Sequence, residues 1–170
     1  MANRNSPMGL VARYHRAGGC IRTEKVTLSA ANSIIGRGDP LVMVNDGLYD
    51  LWSSGRIDAV AAEPSAASSG ASIQAYRDPM IVYSCQTDDG TGTGTVQTAI
   101  NLNATLVAAA PSNGVSRFEI DETSVDTTAT LPVKLRGLYP APNNALGEFN
   151  ELFVSLNNTG EMAGTGTLGI

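Results

Sequence analysis

Few side chains in this chain could do covalent chemistry. There is one histidine, His15, and there are two cysteines, Cys20 and Cys85. A histidine serves as a general base when a nucleophile lies within hydrogen-bond reach. His15 stands in "ARYHRAGG", a loop-like stretch with no Ser or Cys motif beside it. The GxSxG turn that presents a hydrolase serine is missing, and "SSG" and "SGAS" do not replace it. His15 therefore reads as a surface or interface residue. Structural zinc takes four Cys or His ligands, more than one His and two scattered Cys provide. The cysteines form no CxxC and no disulfide framework, so both are expected as reduced thiols.

The carboxylates read the same way. "TDDGTGTGT" (Thr87–Thr95) has neither the spaced oxygens and closing Glu of a calcium loop nor the Lys-Ser/Thr of a phosphate loop. It reads as a turn. Glu119, Asp121, Glu122 and Asp126 gather around "FEIDE". Paired carboxylates can divide acid and base roles. On a strand, however, Glu119 and Asp121 share one face and simply keep it wet. Tyr49 and Trp52 are assigned to packing. No catalytic residue, metal or cofactor is expected.

The cations are distributed unevenly. Residues 1–37 hold Arg4, Arg13, Arg16, Arg22, Lys25 and Arg37 against the single acid Glu24. The remainder holds five basic and fifteen acidic side chains, and the whole chain carries −5. Such asymmetry points to a basic segment that docks on an acidic partner. The arginines could meet phosphates, but only Tyr14 interleaves them and the acidic body opposes approach to DNA. Direct nucleic-acid contact is therefore not expected.

The elements that would position these residues are strands. A chain of 170 residues makes one domain, or one domain with an arm. The 16% charged content is low, and small neutral residues take its place, which suits packing against other subunits. No stretch keeps a helical period over three turns. "VQTAINLNATLVAA" (Val96–Ala109) is an ambiguous helix candidate. Strands are expected in "IRTEKVTL", "LVMV", "GLYDLW", "IDAVAAE", "PMIVYSC", "SRFEI", "LPVKLRGL" and "ELFVSLN". Asn45-Asp46-Gly47 between apolar runs signals a hairpin. "EPSAASSGAS" (Glu63–Ser72) reads as a surface loop. The expected fold is all-β, a small antiparallel sandwich or barrel. Its division is an extended basic N-terminal arm over 1–20, a β-rich body over 21–157 and a Gly-rich C-terminal tail over 158–170. The body is expected to fold without the arm. No apolar run approaches the ~18 residues of a membrane span, and no signal-peptide h-region is present, so no membrane contact is expected.

The order of these segments resembles a known family. "NRNSPMGLVARYHRAGG" resembles the opening of small head proteins of tailed bacteriophages, with a polar-Pro-x-Gly stretch, basic residues and a Gly pair before the first strand. "GRGDPLVMVNDG", "YRDPMIVYSCQTDDG" and "LFVSLNNT" resemble that family's later elements, in order. The resemblance departs from the pattern at "AAEPSAASSGASIQ" and "GTGTGT". It implies a capsid decoration, or cement, protein that binds the outside of a phage head made in the host cytoplasm. The implied partners are the major capsid protein and further copies of the chain, with a trimer favoured over a dimer. The docking residues it implies are Arg4, Pro7, Leu10, Arg13, Tyr14, Arg16 and Arg22. An adhesin-like module displayed on the virion, binding glycan or host surface, is the alternative.

Overall fold

Short β-branched and aromatic runs, cut by Gly, Pro and Asn, favour strands joined by turns. The computed structural model describes residues 3–29, 34–44, 47–66, 70–88, 94–162, 166, 167 and 169, and among these it is nearly all β. The strands are β1 (Val11–His15), β2 (Glu24–Thr27), β3 (Pro40–Met43), β4 (Tyr49–Leu51), β5 (Ala59–Ala61) and β6 (Ser72–Tyr76). They continue as β7 (Ile81–Gln86), β8 (Asn103–Ala104), β9 (Leu106–Val107), β10 (Glu119–Ile120), β11 (Val133–Leu138) and β12 (Glu151–Leu156). One sheet has the order β1-β7-β12-β11-β8, another the order β2-β6-β5-β3-β4, and β9 pairs with β10. Every strand pair is antiparallel.

Period-2 alternation assigns the cores. Ile81, Tyr83 and Cys85 of β7 join Leu152, Val154 and Leu156 of β12 in the main core, which Val60 and Trp52 complete from the second sheet. Ala59 and Ala61 flank Val60 in sequence and point the other way, into a second cluster with Val26, Leu41, Tyr49 and Ile73. The second sheet curls on itself. Its outer strands meet where Leu28 bridges Tyr49, and the Ser29 amide donates to the Tyr49 carbonyl at 2.8 Å. Closure of this kind removes unpaired edges, and alanines suit the narrow interior. Within that sheet β5 is covered on both faces, whereas β2 leaves Glu24 and Lys25 exposed, and the first sheet also keeps an outward face.

The expected hairpin forms: β3 pairs with β4, and Gly47 takes φ +76°. Asn45 and Asp46, at its tip, lie outside the described residues, as do 89–93 of the Gly-Thr stretch and 67–69 of the Ser-rich loop. The ambiguous segment 96–109 is not an α-helix. It forms one 3-10 turn over Gln97–Ala99 and then the two-residue strands β8 and β9.

The division into arm, body and tail needs correcting at its N-terminal end. Residues 11–15 are an edge strand, not a free arm: Val11 lies opposite Ser84 and His15 opposite Ile81. Leu10 is 1% exposed and belongs to the main core. The register slips between Ala12 and Tyr14, and this bulge at Arg13 breaks the alternation that would have marked a strand. Upstream, Gly9 crosses the second sheet's loops at φ +67°, where a Cβ would strike the Ser116 side chain and sit 2.6 Å from the Gly38 carbonyl oxygen. Only glycine fits there. The described part of the tail is also bound down. Asn157 Nδ2 donates to the carbonyls of Ala129 and Leu131, each at 3.0 Å, and its Oδ1 accepts from the Thr167 amide at 3.0 Å. The Gly160 amide donates to Asp58 Oδ1 at 2.7 Å. Buried amides that meet backbone groups in this way replace ladder bonds.

Candidate functional site

The outward face of the first sheet is built from the alternate residues of its strands. β7 contributes Ser84 and β12 contributes Phe153 and Ser155, with Ser84 paired to Phe153 in register. Both serines are buried, at 0% and 1% exposure, although they lie on the face turned away from the core. Arginines roof them. Arg13 Nε donates to Ser84 Oγ at 2.7 Å, and Arg136 Nε donates to Ser155 Oγ at 2.9 Å. Both arginines sit at bulges. The second slip, between Leu135 and Gly137, places Arg136 at the irregularity of β11. Bulges re-aim side chains in this manner.

Aromatic rings form a ridge beside the arginines. Tyr14 packs edge-on against Phe153 at 5.5 Å, and Tyr139 packs against the same ring at 5.2 Å. The Arg13 guanidinium carbon stands 4.3 Å from the Tyr139 ring centre, a cation–π contact. Arg13 also donates to Glu151 Oε1 at 2.9 Å, so its charge is met inside the molecule.

The other cations are arranged differently. Lys134, buried along most of its side chain, lies opposite Ser155 in register. Arg16, exposed, follows β1, and its amide donates to the Met80 carbonyl at 2.9 Å. Burial lowers the pKa of Arg136, and the charge of Arg16 lowers it further. Burial likewise lowers the pKa of Lys134, with Arg136 adding to the effect. Like charges held this close raise the local positive potential, which recruits anionic groups.

The sequence-derived docking residues separate into two sets. Arg13, Tyr14 and Arg16 come together on this face. Arg4 is exposed elsewhere, and its carbonyl accepts from Gln86 Nε2 at 2.6 Å. Pro7 is half-buried, and Arg22 lies exposed in the connector to β2. Leu10 is inside the core and is not available for docking. Lys134, Arg136, Tyr139 and Phe153 complete the face and were not assigned to it from sequence. A signal existed for two of them: Lys134 and Arg136 are two apart in "LPVKLRGL", which on a strand means one face.

Two further regions serve structure. A cleft of about 210 Å³ lies between residues 3–11 and the 141–151 loop. Gln86, in its wall, is fully engaged with Arg4, Phe149 and Ser6. The carboxylates near β10 cap turns: Asp121 accepts from the Thr123 amide at 3.0 Å, and Asp126 accepts from the Thr127 amide. His15 Nε2 and Asp78 Oδ2 are 2.9 Å apart, an exposed pair. Among the described residues no group of three or more His, Cys, Asp or Glu is placed to hold a metal, and no helix is long and apolar enough to cross a membrane. No protein-family model, curated protein or solved structure matches the chain.

Proposed function

We infer that the protein is a structural virion component, a capsid decoration or cement protein, that docks its basic–aromatic sheet face on an acidic outer surface of a phage head. One observation carries the reading. Arg16, Lys134 and Arg136 share a face with Tyr14, Tyr139 and Phe153, a face that the paired Arg13 and Glu151 brace, in a chain whose net charge is −5. Concentrated charge of one sign steers encounter with an oppositely charged partner, and aromatic side chains with Arg are the usual anchors of an interface. The sequence resemblance to phage head proteins gives the partner its identity. Many copies bound across one shell, as trimers or else as dimers, turn modest single contacts into strong retention.

The test mixes the purified chain with heads assembled without it. Co-sedimentation that saturates at a fixed copy number, and that weakens as salt rises, supports the reading. Heads that stay undecorated at low salt overturn it. Binding to host-cell glycans in its place would favour the adhesin-like alternative.

A further inference from the structure

Two arginines on the sheet face are held by one device, and only one of the two is finished. Arg13 spends its Nε on buried Ser84 and a terminal amino group on Glu151 at 2.9 Å. Arg136 spends its Nε on buried Ser155. Among the described residues no carboxylate lies within ion-pair distance of Arg136 or Arg16. A bond at Nε fixes the guanidinium plane and leaves the terminal amino groups to a ligand, the geometry that takes a carboxylate in fork fashion. Arg16 follows Tyr14 by two residues and is fixed by the hydrogen bond from its amide to the Met80 carbonyl, at the end of β1 where Tyr14 and Ser155 both face Val82. Lys134 lies opposite the same Ser155 that holds Arg136. The charge of Arg16 accordingly lowers the pKa of Arg136.

We propose that Arg136 and Arg16 form a carboxylate subsite for an acidic peptide segment of the docking partner, which supplies from outside the counterpart that Glu151 supplies to Arg13. The aromatic ridge of Tyr14 and Phe153 borders the subsite and receives the apolar part of that segment. Arg13, already neutralised, holds the sheet face in shape and contributes little to binding. The proposal rests on the docking reading for the identity of the partner, but not for the chemistry of the subsite.

The experiment titrates the full-length chain with an acetylated hexaglutamate peptide, read by calorimetry and by the Arg Nε–H resonances. The expected result is saturable binding that moves the Arg136 signal. Arg136→Gln and Arg16→Gln each weaken it about tenfold, and Arg136→Lys weakens it less. Arg117→Gln removes the same charge from an exposed position elsewhere and leaves binding unchanged. Equal loss from Arg117→Gln would show a response to net charge alone and overturn the subsite. Inorganic phosphate binding more tightly than the peptide at matched ionic strength would overturn the choice of carboxylate. Because Arg16 is exposed, Arg16→Gln keeps the test open if Arg136→Gln misfolds. Head decoration is measured with the same variants. Peptide binding lost while decoration persists supports the subsite and removes the docking reading. Decoration lost while peptide binding persists retains docking and overturns the subsite.

Discussion

Ser84 and Ser155 show how much one buried hydroxyl decides, since each locks a guanidinium plane without adding charge. Other buried polar groups act at the same scale. Cys85 is 1% exposed, and burial pushes its thiol well above the ordinary value, whereas Cys20 is exposed; both are free. Reaction follows the accessible thiolate. A thiol reagent should therefore consume one cysteine in the native protein and two in denaturant, and two in the native state would contradict the burial of Cys85. Asp39 is fully buried, and desolvation raises its pKa above the ordinary 3.8, against the opposing hydrogen bond from the Gly36 amide at 2.6 Å. The folded state therefore holds this proton more tightly than the unfolded chain. The stabilisation from this group is complete below the ordinary value and is lost as pH rises through the folded one. Urea unfolding of the wild type and of Asp39→Asn, from acid to neutral pH, should show the wild type losing stability relative to the variant as pH rises. A pH-independent difference would remove Asp39 from the balance.

The two bulges dominate the strands. Without the slip at Arg13, strict alternation would send Arg13 and Tyr14 to opposite faces; with it, one contacts Ser84 and the other Phe153 on the same side. β1 is therefore both a structural strand and a carrier of the site. Its anchor is Leu10, whose full burial stabilises the fold by roughly 1.5–3 kcal/mol. Leu10→Ala should cost about 2–5 kcal/mol in urea unfolding, the range for a fully buried leucine that leaves a cavity. A chain that starts near residue 20 should be aggregation-prone, because it uncovers the β7 edge along Ile81–Ser84. A soluble, folded product with unchanged stability would restore the free-arm reading.

The sheets of the whole molecule share one core, so they should unfold together. Trp52 sits in the second-sheet side of that core, 3% exposed and 6.0 Å from the Phe118 ring. Its fluorescence reports the junction, while far-UV circular dichroism reports both sheets. The two transitions should coincide in urea, as expected of one cooperative unit. A fluorescence midpoint well below that of the dichroism would mean that the curled sheet detaches first. The tail adds to this unity: Asp58 receives the Gly160 amide and the Met43 amide together, tying the chain end to β3.

Local chemistry alone was enough to determine the class of this protein. Turn residues and apolar runs marked eight strand segments, and Asp-Gly marked the β3–β4 hairpin, because period 2 and positive φ are properties of single residues and near neighbours. The basic bias of residues 1–37 was equally plain in the composition. What such reading missed has definite causes. β1 was hidden by its bulge, β6 by the alanines and serines around "SIQAY", and β8 and β9 by their two-residue length. Only the tertiary structure decided that Leu10 is core, that the tail is bound down, and that Arg13 and Arg16 meet Lys134 and Arg136 more than a hundred residues away. Those outcomes depend on which strands pair and in what register, and a one-residue slip turns a side chain to the other face.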